Sequence, residues 1–244
     1  MPGQTIVITG AGMGIGAETA RRLAPGNRLI LQYRTSKAGA LALQEELARI
    51  SEDTDVVEAD LTTDAGCVAL SEEIGKRTES LDVLVNNAGG MLERQAVDEL
   101  TWEHLAATFA LNTFSAMRMT SLCTGLLRRG TRPCVVNVTS IAMRHGAPSA
   151  TAYGASKAAL DAFTRGAANE LAPDIRVNAV APGIIDTRFH ERVTPEAKMR
   201  QFIQNTPLQR AGTVADVAHT VAYLVGNTFV TGETVDCNGG LSMR

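Results

Sequence analysis

The chain predicts an α/β fold: one doubly wound, seven-stranded parallel sheet with helices on both faces. Three observations carry this. Near-continuous apolar runs alternate with helical patterns from end to end. Strands apolar on both sides belong to a sheet covered on both sides, and right-handed crossovers then wind it in two directions. Gly10, Gly12, Gly14 and Gly16 crowd the turn between the first strand and the first helix. Finally, 244 residues at 45% hydrophobic content can bury one sizeable core, and no repeat or linker divides them. Residues 1–244 are therefore read as a single domain.

The strands are expected at Thr5–Thr9, Arg28–Tyr33, Asp55–Ala59, Leu81–Asn86, Pro133–Thr139, Ile175–Val180 and Glu233–Asp236. Each is a short apolar run too brief for a helix. Helical spacing of apolar residues fills the gaps. It covers Ile15–Leu23, Lys37–Ile50, Ala65–Arg77, Trp102–Arg128, Ala152–Leu171, Pro195–Gln204 and Val214–Val225. The longest irregular stretch runs from Pro182 to about Thr194 and contains Asp186, Arg188 and His190. A loop beyond a strand's carboxyl end is a natural lid.

Composition narrows the function. A net charge of −3 with no basic tail argues against a general nucleic-acid binder. No apolar run approaches the ~18 residues of a membrane-spanning helix. The first strand starts near Thr5, which leaves no room for a signal peptide, so a cytoplasmic protein is expected. Cys67, Cys123, Cys134 and Cys237 lack C-x-x-C spacing and read as free thiols in a reducing compartment. His104, His145, His190 and His219 are scattered, so no metal site is expected.

Two motifs carry chemistry. TIVITGAGMGIGAETARRLA reads as strand, glycine-rich turn and helix. Glycine permits positive φ and close approach of backbone N–H groups, and the helix beginning near Ile15 aims its positive dipole end at the same place. This is a pyrophosphate cradle of the dinucleotide-binding, Rossmann kind, with Met13 inside the turn. The second motif is SIAMRHGAPSATAYGASK. Tyr153 and Lys157 are one helical turn apart on one face. An adjacent ammonium stabilises a phenolate, which makes a tyrosine a usable acid/base. Ser140 ends the strand CVVNVTS, where its hydroxyl can bond a substrate oxygen.

These pieces resemble the short-chain dehydrogenase/reductase family, 3-oxoacyl-(acyl-carrier-protein) reductases in particular. The match extends through Thr9-Gly10 with Gly14 and Gly16, Asp60-Leu61, Asn86-Asn87-Ala88-Gly89, Asn112, Ser140, Tyr153, Lys157, Pro182-Gly183 with Thr187, and Asn238-Gly239-Gly240. The resemblance implies an NAD(P)-dependent enzyme acting on a carbonyl or secondary alcohol. In it Tyr153 is the acid/base and Ser140 steadies the oxyanion. Lys157 lowers the tyrosine pKa and holds the ribose, and Asn112 kinks its helix around a water leading to Lys157. It also implies that Asp60 and the Leu61 backbone meet adenine, that Asn87, Ala88 and Gly89 lie beside the cofactor, and that Pro182, Gly183, Ile185 and Thr187 flank the carboxamide. Asn86 reads as structural, its amide tying neighbouring strands.

Cofactor preference turns on LILQYRTSK. The family places an NAD-selecting acid where this chain has Tyr33. Arg34 offers a fork for a 2′-phosphate, and Thr35 and Ser36 add donors. NADP is expected, with NAD the alternative because Met13 stands where NADP-preferring members often carry a base. The pocket wall is read as Gly90, Met91, Leu92, Ala142, Met143, Arg144, His145, Ile184, Ile185 and Arg188–His190. The substrate stays open between a 3-oxoacyl thioester, a sugar or polyol and a pteridine. A basic patch for an acidic carrier protein would comprise Arg128, Arg129 and Arg132, with Asp174 opposing it. A silent cofactor sensor is the alternative class. Retention of Asn112, Ser140, Tyr153 and Lys157 favours an enzyme. Surplus alanines on the Thr101–Arg128 and Ala152–Leu171 helices, together with the family's habit, imply a homotetramer.

Overall fold

A computed structural model of the chain describes residues 2–187 and 196–243. Seven strands form one parallel sheet in the order β3-β2-β1-β4-β5-β6-β7. They are β1 (Thr5–Ile8), β2 (Arg28–Tyr33), β3 (Asp53–Glu58), β4 (Val83–Asn86), β5 (Cys134–Val138), β6 (Arg176–Pro182) and β7 (Thr234–Cys237). The order reverses beside β1, between β1 and β4, which opens a crevice at the strands' carboxyl ends.

Alternation along each strand feeds two cores. Ile6 and Ile8 of β1, Val83 and Val85 of β4, and Val136 of β5 face one side. There they meet α1 (Gly14–Leu23), α2 (Lys37–Leu47) and α9 (Val214–Gly226). Val7, Leu84 and Val135 face the other side, against α3 (Asp64–Arg77), α5 (Ser115–Leu127) and α7 (Thr151–Leu171). All of these strand side chains are fully buried. Truncating one such leucine typically costs about 2–5 kcal/mol. The expected doubly wound sheet is therefore the observed one.

Several boundaries differ from expectation. β3 starts at Asp53 because Asp53 already pairs with Arg28 in register. β6 runs on to Pro182, which pairs with Cys237 and accepts a bond from the Ile141 N–H. The single helix expected over Trp102–Arg128 is three pieces. α4 (Trp102–Phe109) leads into a π-helical turn at Ala110–Phe114 and then into α5. A four-residue helix, α6 (Ala142–His145), fills part of the segment before α7. The helix expected from Pro195 is seen as α8 (Glu196–Asn205). Pro195, Arg188, Phe189 and His190 lie outside the described residues, and with them most of the expected lid.

Candidate active site

One continuous cavity of about 1110 Å³ opens over the carboxyl edge of the sheet. At one end lie Arg34, Thr35, Ser36, Asp60 and Leu61; at the other lie Ser140, Tyr153, Lys157 and Thr187. Gly10, Met13, Gly14 and Ile15 line the part between them, with Asn87, Ala88 and Gly89. Pro182, Gly183 and Ile185 complete the wall. Sequence reasoning thus gathers residues separated by more than 150 positions into one crevice.

The glycine turn has two kinds of glycine. Gly14 sits at φ +58 and nothing lies within 4 Å of the position a Cβ would take. The space in front of it is a cradle a ligand can enter. Gly12 and Gly16 do not line the cavity. A Cβ on Gly12 would stand 2.1 Å from Ser36 Oγ, and one on Gly16 2.4 Å from the Gly10 carbonyl. These two permit close packing of the turn. α1 also starts without a side-chain cap and with no acid in its first turn. α2 and α7 start in the same way, whereas α3, α4 and α9 are capped by Thr63, Thr101 and Thr213. Uncapped first-turn N–H groups need an acceptor, and a phosphate supplies one. The turn, its open cradle and the long cavity fit a bound dinucleotide.

Two side chains brace this turn, Thr9 of the recognised motif and Gln32, to which the motifs did not point. Gln32 on β2 accepts from the Gly10 N–H at 2.8 Å and donates to the Ala59 carbonyl at 2.7 Å. Thr9 Oγ1 accepts from the N–H groups of Asn87 and Ala88 at 3.0 and 2.9 Å. Asn87 in turn donates to the Thr9 and Gly10 carbonyls. A polar residue in a buried strand is the signal that could have found Gln32. Asn86 joins the strands as read, donating to Asn137 Oδ1 at 2.9 Å.

At the far end of β2, Tyr33 turns inward and donates to Glu58 at 3.0 Å. Arg34 forms an ion pair with Asp60 at 3.5 Å, both side chains about half exposed. Asp60 also accepts from the Thr62 N–H and hydroxyl. Those bonds, with a smaller contribution from Arg34, hold its carboxyl below the usual range.

Around the reactive end, α7 places Tyr153 and Lys157 on one face, as their spacing demands. Ser140 follows β5; its Oγ accepts from the Ala142 N–H at 3.1 Å, and both Ser140 and Tyr153 line the cavity. Lys157 is buried, and its ammonium donates to the Val138 carbonyl at 2.8 Å. Burial pushes its pKa down to about 7. The expected lowering of the Tyr153 pKa is not what the structure shows. Burial raises it, and the nearby Ser140 hydroxyl offsets that only in part. Desolvation decides the sign in the cofactor-free site.

Asn112 is fully buried beneath the cavity and does not line it. It sits in the π-helical turn, where its amide accepts from Gly90 N–H at 2.8 Å and donates to the Gly90 and Thr108 carbonyls. The irregular helix expected from this asparagine is present. A Cβ added to Gly89 would lie 2.9 Å from both Asn112 Oδ1 and Lys157 Nζ, so all three meet at one point.

The substrate wall differs in part from the reading. Gly90, Met91, Leu92, Ala142, His145, Ile184 and Ile185 line the cavity. Met143 and Arg144 do not; Arg144 turns to Asp236 on β7 at 3.3 Å. Arg94, Leu111 and the α8 residues Lys198, Gln201, Phe202 and Asn205 line it without having been anticipated. Arg128 pairs with Asp174 at 3.8 Å, which weakens a carrier-protein patch there. Among the described residues no group of three His, Cys, Asp or Glu is placed to hold a metal ion. Nor is any described helix long and apolar enough to cross a membrane.

Comparison with known proteins agrees with this geometry. Residues 10–242 match the family described as enoyl-(acyl carrier protein) reductase. An uncharacterised oxidoreductase of Methylorubrum extorquens is 34% identical, covering 99% of this chain and 98% of the relative. The 3-oxoacyl-[acyl-carrier-protein] reductase of Staphylococcus aureus is 33% identical over 98% of each chain. Among solved structures, an NADH-dependent reductase responsible for alginate metabolism superposes with a TM-score of 0.91 at 30% identity, covering 100% of this chain and 98% of that one. A blue fluorescent protein from a metagenomic library, in complex with NADPH, gives 0.91 at 30% identity over 99% of both. With its doubly wound sheet and nucleotide-fitting crevice, the chain belongs to the short-chain dehydrogenase/reductase family, as an NAD(P)-dependent oxidoreductase.

Proposed function

We propose that residues 1–244 act as one NADP(H)-dependent unit that reduces a ketone, or oxidises the matching secondary alcohol, with Tyr153 as general acid/base. One observation carries this: Ser140, Tyr153 and the buried Lys157 line the same cavity as the glycine turn. The nicotinamide, when bound, supplies or takes the hydride. Tyr153, held protonated by burial, is set to give its proton to the carbonyl oxygen in reduction. Ser140 donates to that same oxygen as charge develops on it. Lys157 returns charge to the site and donates to the ribose hydroxyls. Asn112 positions the Gly90 loop and, through the π-helical turn, the route by which Lys157 exchanges protons with solvent. A 3-oxoacyl thioester is the first substrate to test, because the S. aureus relative bears that name.

NADP(H) is favoured over NAD(H) because a guanidinium, Arg34, and two hydroxyl residues line the adenosine end while Tyr33 turns inward. The solved relatives include both an NADH-dependent reductase and an NADPH complex, so the choice rests on Arg34. A cytoplasmic homotetramer is the assembly proposed. The test is nicotinamide absorbance with a panel of ketones and alcohols, each run with NADPH and NADH. Absence of turnover across the panel would defeat the enzymatic reading.

A further inference from the structure

The substrate end of the cavity carries charge that proton transfer does not use. Arg94 comes from the loop after β4, His145 from the last turn of α6, and Lys198 from α8. Three elements far apart in sequence thus each deliver a cation or a protonatable ring to the same cavity as Ser140 and Tyr153. One acid, Asp186, is the described counter-charge lining that end. Arg94 is partly buried, and desolvation pushes its pKa down. Lys198 packs its ammonium 5.8 Å from the centre of the Phe202 ring, which also lines the cavity. The rest of this wall is apolar: Met91, Leu92, Leu111, Ile184 and Leu241. A cationic rim over an apolar wall recognises an anion attached to a short carbon skeleton.

We propose that Arg94, His145 and Lys198 form an anion subsite, so that the substrate is an oxo acid (a ketone bearing a carboxylate or phosphate on the same fragment) or its hydroxy acid. This rests on the carbonyl-reduction reading above.

The experiment compares matched ketones with the full-length enzyme saturated with NADPH. One arm pairs aliphatic oxo carboxylates with their primary amides. A second pairs dihydroxyacetone phosphate with dihydroxyacetone, which separates phosphate from carboxylate recognition. A 3-oxobutanoyl N-acetylcysteamine thioester is the uncharged reference. The expected result is at least about tenfold higher kcat/KM for one class of anion, expressed mainly in KM. Arg94→Gln and Lys198→Gln should each lower that value about tenfold while leaving the uncharged partner within about twofold. Equal kcat/KM within pairs, a preference intact in both variants, or better turnover of the thioester than of any oxo acid would overturn the subsite. Quenching of bound NADPH fluorescence reads binding without chemistry. If no ketone is reduced but carboxylate or phosphate still quenches, and Lys198→Gln abolishes it, the reduction reading fails and the subsite stands. If neither turnover nor quenching is seen, the subsite is overturned.

Discussion

Burial of Lys157 has a measurable sign. Its folded pKa is about 7 against an ordinary 10.5. Below about 7 the buried ammonium carries its full desolvation cost; between about 7 and 10.5 the unfolded chain binds the extra proton. Stability of the cofactor-free protein should therefore rise over that window. Urea midpoints measured across it should climb for the native chain, and the climb should vanish in Lys157→Met. Tyr153→Phe keeps the ring and loses the acid, so kcat should fall by at least about 10²-fold with cofactor affinity nearly unchanged. Retained turnover would remove Tyr153 from the chemistry. At the other end of the cavity the 3.5 Å Arg34–Asp60 pair sets two opposed effects. Arg34→Ala should cut NADP(H) affinity about 10- to 100-fold relative to NAD(H). Asp60→Asn should move the ratio the other way, since it removes the negative charge that pairs with Arg34. Titration of both cofactors against both variants checks the pair.

At the level of elements, the junction of Gly89, the π-helical turn and α7 is the sensitive place. Thr113 in the turn donates to the Ser156 carbonyl at 2.8 Å, which couples it to the helix of Tyr153 and Lys157. Gly89→Ala would put a methyl 2.9 Å from Lys157 Nζ and from Asn112 Oδ1. The lysine end can yield, so the fold should survive with a midpoint shift within about 1 kcal/mol, while kcat falls because the amine is displaced. A Gly89→Ala enzyme as active as the native one would show that the amine's position is not critical. The strands, the glycine turn and the Tyr153–Lys157 pair were legible because each depends on local pattern: period, turn chemistry and one helical turn of spacing. The break in the long helix was legible only as an asparagine out of place, since Asn112 finds its partners on Gly90, 22 positions away. Arg144 was misplaced for the same reason: its partner Asp236 lies 92 positions along the chain, and no local pattern reports it. α6 hides among Gly146, Pro148 and Ser149, residues that read as loop.

For the whole molecule, the outward faces of α4, α5 and α7 bear on assembly. Ala106, Ala107, Ala158 and Ala162 are exposed there, beside Trp102 and Phe114, whereas Ala116, Ala167 and Ala168 belong to the protomer's own interior. The first group supports the proposed homotetramer and the second does not. Light scattering at micromolar concentration should give about four chain masses, and a fully active monomer would dispose of the assembly. The sheet order has a consequence for synthesis. β6 and β7 are made after the other five strands of the sheet, and the Gly183 wall of the cavity rests on them: its N–H bonds the Cys237 carbonyl, and a Cβ on it would stand 2.6 Å from Asn238 Cα. Leu241 closes the same wall. A ribosome-bound chain lacking these residues can pair β1 through β5 yet has no finished crevice. Such a chain holds the glycine turn but lacks the Gly183 wall, so nucleotide should protect it from proteolysis less than it protects a chain that has made β7.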